Sequence, residues 1–250
     1  MKKNTIILLA ALIGILAACD KKQPDATAII DKAIRAHGSN LFTQSKTTFI
    51  FRETAYSVTR ATGSIAFTRR FISDNDTIQD VKTYTGITRY RNGVVETASD
   101  SLKKKYDAAL NSVVYFTQLP YSLDGPAVIK KYLGMDTIKG EKYHEIEVTF
   151  NPDGGGEDHE DVFVYWVNAR SYLIDYMAYS FCEVDCGYRF RESVNRSNHK
   201  GIIMQDYKNY KSTLQDPKLQ LMDDLFEEGR LELLSEIINK DVVVTLKTKK

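Results

Sequence analysis

The chain has 250 residues, with 34 basic against 33 acidic side chains, 43% hydrophobic residues, 15 Tyr, 11 Phe and three cysteines. So even a charge balance leaves no electrostatic footprint for a nucleic acid or an anionic membrane surface, and the aromatic abundance favours strands over helices. The length suffices for a large hydrophobic core, and neither a repeat at a fixed period nor a long Gly, Ser or Pro-rich linker divides it, so one domain is expected over residues 26–250.

Lys2 and Lys3, the apolar run Ile6 to Ile15 and the small residues before the cleavage point in Leu16-Ala17-Ala18-Cys19 are the three parts of a secretory signal peptide. A cysteine at the cleavage point makes it a lipoprotein signal. On this reading residues 1–18 are removed, the Cys19 thiol carries a diacylglycerol, and residues 19–25 form a tether reaching roughly 20 Å. A membrane-spanning helix needs about 20 apolar residues, more than this run supplies, so the mature chain is membrane-anchored through lipid and does not span. With Lys2 and Lys3 gone, 32 basic residues face 33 acidic ones. The expected location is the cell envelope, on the outer membrane, facing the periplasm or the outside. Asp20 is an inner-membrane retention signal in some bacteria, so the leaflet stays open.

Asp25 followed by Ala26, Ile29, Ile30, Ala33 and Ile34 predicts a capped amphipathic helix stopped by His37-Gly38. From Lys46 to Thr97 short runs rich in Thr, Tyr, Phe, Ile and Val read as strands, with Asn92-Gly93 a two-residue hairpin turn. Ser99 or Asp100 caps a second helix carrying Leu102, Tyr106, Ala109, Leu110, Val113 and Val114 and ending before Pro120. Strands resume at 132–137, 143–150, 161–167, 172–181, 187–195 and 202–210, joined by short turns that make successive strands antiparallel neighbours. Asp216-Pro217 places a cap and a first-turn proline before Leu219, Met222, Leu225 and Phe226, a third helix ending at Gly229, and 231–246 reads as one or two closing strands. The fold class expected is α+β: a curved antiparallel half-barrel of about eleven strands in one series, with amphipathic helices over its concave face.

Several stretches carry a resemblance. Asp31 to Gly38, Tyr132 to His144, Val164-Tyr165-Trp166-Val167-Asn168, Tyr188-Arg189-Phe190-Arg191-Glu192 and Gln205 to Tyr210 together resemble a family of uncharacterised Bacteroidota lipoproteins and secreted proteins, in the same order along most of the mature chain. More distantly, the layout is similar to lipoprotein carriers and receptors of the LolA and LolB type, whose fold is a half-barrel with a helical lid around a lipid-accepting cavity. One position departs: Ser39 stands where the family usually has a second glycine.

Once Cys19 is lipidated, Cys182 and Cys186 remain as an even pair across a three-residue loop, within reach of a disulfide in an oxidising compartment. Reduced bystander thiols are the alternative, and Cx3C without a nearby histidine is poor for zinc. His37, His144, His159 and His199 form no spaced ligand pair. Residues 154–161 concentrate acidic oxygens around three glycines but lack the alternating ligands of a calcium loop and the Lys-Ser of a phosphate loop, and read as a solvated hairpin tip. There is no Gly-x-Ser-x-Gly and no thiol placed beside a histidine.

The expected function is binding of a hydrophobic small molecule, a lipid or a lipidated partner, without catalysis, cofactor or metal, by a monomer. Phe49, Phe51, Trp166 and Met177 are the candidate ligand residues, since a lipophilic site is an apolar pocket with few polar groups. A structural module with a filled core and an envelope hydrolase with an unrecognised site are the alternatives. An open lumen of several hundred Å³ favours binding, and a packed one favours the structural reading.

Overall fold

The computed structural model describes residues 23–154, 160–182 and 186–247. The leader, Cys19 and the start of the tether, residues 155–159 of the glycine-rich loop with His159, and residues 183–185 between the cysteines lie outside the described residues.

Asp25 caps α1 (Ala26–His37) by accepting a hydrogen bond from the Thr27 N–H at 2.9 Å. A first antiparallel meander follows: β1 (Ser45–Phe51), β2 (Thr54–Ala61), β3 (Ser64–Ser73), β4 (Asp76–Thr83), β5 (Gly86–Arg91) and β6 (Val94–Glu96). The Ser99 hydroxyl caps α2 (Asp100–Gln118), which leads to a second meander: β7 (Val128–Ile138), β8 (Glu141–Phe150), β9 (Val162–Asn168), β10 (Ile174–Cys182), β11 (Cys186–His199) and β12 (Ile202–Ser212). A short α3 (Met222–Glu227) precedes β13 (Leu231–Ile237) and β14 (Lys240–Leu246).

These fourteen described strands form two sheets of seven, ordered β14-β1-β2-β3-β4-β5-β6 and β13-β12-β11-β10-β9-β8-β7. The expectation of about eleven strands in one series is corrected, and the reason lies in the tail. Only Ile238 and Asn239 separate β13 from β14, yet β13 pairs with β12 (Tyr207↔Ile237) and β14 with β1 (Thr47↔Val244). One bent stretch therefore covers an edge of each sheet, and the two sheets meet along it. Val244 packs there with Ile202, Met204 and Phe42.

The second sheet is buried on both faces, which explains the continuous apolar run of β9. Phe163, Tyr165 and Val167 face one side with Met177 and Tyr179 of β10, beneath the apolar stripe of α1 and the C-terminal part of α2. Val164 and Trp166 face the other, with Tyr176, Phe190 and the α3 residues Met222 and Leu225. The helices are thus divided between faces rather than gathered on one. The third helix is also shorter than expected: Leu219–Leu221 forms a 3-10 turn, and the α-helix starts only at Met222.

Gly38 ends α1 at φ 62°, and a Cβ there would lie 1.9 Å from the Gly201 carbonyl oxygen, so close approach and backbone conformation both demand glycine. Ser39 is buried and donates its hydroxyl to the Ile34 carbonyl at 3.3 Å. His37 Nε2 accepts the Ile174 N–H at 3.0 Å, and burial, helped by the Arg196 charge, holds its pKa down at about 3.

Two buried clusters of charged groups lie on the sheets, one compensated and one not. In the first, Asp80 is fully buried and takes Arg69 Nε and Arg89 Nε at 2.7 Å each from the neighbouring strands. The Arg89 guanidinium lies 3.3 Å above the Tyr106 ring of α2. In the second, Asp223 of α3 meets Asp136 and Asp224, and Glu145 of β8 lies close to Asp136 and Glu147. Burial first, then these like charges, push the Asp223 carboxyl well up and the Glu145 carboxyl up to about 7.

Removing the shared partner of two arginines leaves both charges uncompensated, so Asp80→Ala is expected to cost about 3 kcal/mol of stability, read from the denaturant midpoint. A carboxyl raised in the native state keeps a proton that the unfolded chain releases, so its contribution is present at acid pH and lost as pH rises from about 4 to about 7 for Glu145 and to about 8 for Asp223. His37, held neutral, slopes the opposite way below about 6.5. The Glu145→Gln, Asp223→Asn double variant isolates the acids: relative to the parent chain it is expected to gain about 1 kcal/mol or more between pH 5 and pH 8 in equilibrium unfolding.

Candidate functional site

Helix α2 serves both sheets. Leu110 and Val114 pack with Phe49, Tyr56, Val58, Phe67 and Ile87 of the first sheet, whereas Tyr115, Phe116 and Leu119 pack on the second. Between the helix, the second sheet and the end of β1 lies a cavity of about 470 Å³. One wall is α2, from Asn111 to Thr117. The floor is the inner face of the second sheet, where β8 to β13 contribute Phe150, Phe163, Tyr179, Phe181, Tyr207 and Ile237. Phe51 and Arg52 close the side toward the first sheet. Arg52, Asn111 and Ser112 are exposed, so the cavity has a solvent-facing rim. A second space of about 270 Å³, lined by Arg60, Phe67 and Tyr121 among others, lies on the other flank of α2 and shares Asn111 and Tyr115 with the first.

The rings lining the main cavity form one array. Phe163 stacks on Tyr179 at 5.4 Å between centroids and on Tyr165 at 5.9 Å, and Phe116 meets Tyr179 at 5.0 Å. The Tyr115 and Tyr165 hydroxyls share a hydrogen bond of 3.0 Å. Burial raises the pKa values of Tyr115, Tyr165, Tyr179 and Tyr207, so these phenols stay neutral.

The most deeply buried charged group on this cavity is an arginine. Arg191 of β11 is 8% exposed and points into the cavity; its Nη2 donates to the Tyr179 hydroxyl at 2.7 Å, and its guanidinium lies 3.8 Å from the Phe116 ring centroid. Its Nε and Nη1 are buried without a hydrogen-bond partner. Asn209 Oδ1 and both side-chain polar atoms of Asn239, on the same cavity, are likewise unpartnered. Among the described residues no group of three His, Cys, Asp or Glu side chains is placed to hold a metal ion.

Of the four apolar candidates read from the sequence, Phe51 lines this cavity. Phe49 shares its strand face but is buried in the first sheet's core, stacked on Tyr56 at 5.1 Å. Met177 lies on the cavity face of β10, fully buried in the cluster that includes α1. Trp166 points to the opposite face, edge-on to Phe190 at 5.7 Å. Arg191, Tyr179, Tyr207 and Asn239 were not singled out. A signal for the first was present: Arg189 and Arg191 alternate with Phe190 along β11, putting guanidinium groups on a face where its neighbours are apolar. Cys182 and Cys186 face each other as the last pair of β10 and β11, with Cα atoms 4.0 Å apart.

The fold is similar to that of several solved structures. A LolA superfamily protein from Nitrosomonas europaea is 12% identical, with a TM-score of 0.47 over 91% of this chain and 96% of that one. A putative outer membrane lipoprotein-sorting protein domain from Vibrio parahaemolyticus is 9% identical, with a TM-score of 0.46 over 90% and 96%. A DUF1329 family protein from Desulfovibrio piger is 13% identical, with a TM-score of 0.44 over 87% and 92%. No curated protein matches the chain. Residues 2–239 match the model of a family of unknown function, DUF6503, and the chain belongs to that family.

Proposed function

We propose that this chain is a lipid-anchored cell-envelope protein whose single domain, residues 26–250, is a half-barrel that holds a hydrophobic ligand, or the acyl chains of a lipidated partner, without covalent chemistry. The observation that carries the reading is the cavity of about 470 Å³ between α2 and the second sheet. Its volume falls in the range of about 300 to 1,000 Å³ typical of small-molecule sites, and its floor sets aromatic rings beside a few charged and amide groups. A purely structural module would fill this space with side chains. The lipoprotein signal ending at Cys19 supports the envelope address and a membrane partner. The opposition of Cys182 and Cys186 supports a disulfide that pins the end of the β10–β11 hairpin.

Nile red, a neutral dye whose emission shifts to the blue in apolar surroundings, is expected to bind the full chain. Ser112→Trp, which places a large ring on the exposed rim, is expected to weaken that binding by about tenfold. Equal binding by both proteins, or no shift at all, overturns the cavity as the ligand site. The address and the bridge share one test. Intact-mass analysis of protein made in a bacterial envelope is expected to give a chain starting at Cys19 with a diacylglycerol thioether and no thiol open to alkylation at Cys182 or Cys186. An uncleaved or unmodified N-terminus removes the anchor, and two alkylated cysteines remove the bridge.

A further inference from the structure

The unpaired groups in the cavity are concentrated, and one of them is a cation. Arg191 has two buried donors without a partner, and no carboxylate of a described residue forms an ion pair with it, although elsewhere in the same chain Asp80 neutralises two arginines. Among the described residues the cavity lining includes three guanidinium groups, from Arg52, Arg189 and Arg191, and the carboxylate of Asp161. Arg189 is already engaged, donating to the Tyr188 carbonyl at 2.8 Å and lying over Phe181. Arg191 is held in place by the Tyr179 hydroxyl and the Phe116 ring, so its free donors are fixed in position before any ligand arrives. Beside it, the unpartnered Asn209 Oδ1 offers an acceptor and the unpartnered amide of Asn239 both a donor and an acceptor. A wholly apolar ligand would leave all of these buried groups unsatisfied. A ligand with an anionic head and an aliphatic tail would satisfy the cation and the aromatic floor together.

We propose, building on the cavity as a ligand site, that its ligand is an amphiphile with an anionic head, a carboxylate or a phosphate, and that Arg191 binds the head while Phe150, Phe163 and Phe181 hold the chain. The charge sign, and not only the greasiness of the ligand, then selects what enters.

The test compares dodecanoate, dodecyl phosphate and dodecanol by displacement of Nile red from the full chain and from Arg191→Gln. The two anions are expected to bind the parent chain at least about tenfold more tightly than dodecanol. In Arg191→Gln that advantage is expected to vanish while dodecanol affinity stays within about threefold. Preference for dodecanoate alone assigns a carboxylate head, and preference for dodecyl phosphate alone a phosphate. Equal binding of all three by the parent chain overturns the proposal and leaves the cavity reading intact, and it does so even if the variant fails to fold. An anion preference that survives in a folded Arg191→Gln overturns the role of Arg191. Failure of Nile red and all three compounds to bind the parent chain overturns both readings.

Discussion

One helix packed against two sheets is the constraint on which the rest of this structure depends. An α-helix turns about 100° per residue, so Val114 and Tyr115 point in directions that differ by that angle. Val114, with Leu110, joins the core of the first sheet, and Tyr115, with Phe116, joins that of the second. The side chains of α2 are thus divided between two cores. The spaces of about 470 and 270 Å³ on its flanks, both touched by Asn111 and Tyr115, follow from that geometry. The cavity is therefore a consequence of how the core is divided, and not a defect in the packing of either half.

The walls of that cavity differ in how firmly they are held. The floor belongs to a sheet buried on both sides, so Tyr179 and Arg191 stand on strands backed by Trp166, Phe190 and α3. The bent stretch from β13 to β14 ties this sheet to the first, and Asn239 sits at the bend, where its N–H donates to Asp206 Oδ1 at 2.8 Å. The opposite wall is α2, whose first turns are exposed and whose buried contacts are confined to Leu110, Val114 and the residues that follow. Rigid placement of the recognising groups, with the less buried element over the opening, is the arrangement a binding site requires.

Much of this was legible along the chain, because local chemistry decides local structure. Asp25 and Ser99 cap the helices expected there, Gly38 stops α1, and Asn92-Gly93 turns between β5 and β6. What the chain order conceals is pairing at a distance. The contact of β14 with β1 closes across nearly the whole sequence, so no turn signal announces it, and the tail reads simply as closing strands. The two-sided burial of β9 was visible as an unbroken apolar run, yet an unbroken run does not tell which face meets a cavity. Of the apolar residues considered, Phe51 of β1 lines the cavity, Trp166 points away from it and Met177 lies beneath α1. The short α3 reflects a different limit: Pro217 and the apolar spacing after it suit a helix, but the segment from Lys218 first takes a 3-10 turn to bring Leu219 onto Val164 and Trp166.

The two buried guanidinium sites of this fold make the sharpest comparison. Arg69 and Arg89 converge on Asp80, a carboxylate placed between them by the register of β3, β4 and β5, and the charges cancel within the sheet. Arg191 sits on an equally ordered strand, with its register partner Met177 and the cross-strand neighbour Asn209 offering no charge. On β4 a single carboxylate neutralises two buried arginines, whereas the cross-strand neighbours of Arg191 are an amide and a methionine, and Asp161 is the described carboxylate on the same cavity. A cation desolvated without its counter-ion lowers stability. Groups that break local rules in this way concentrate where a protein binds something, and here the imbalance falls on the wall of the cavity of about 470 Å³ between α2 and the second sheet.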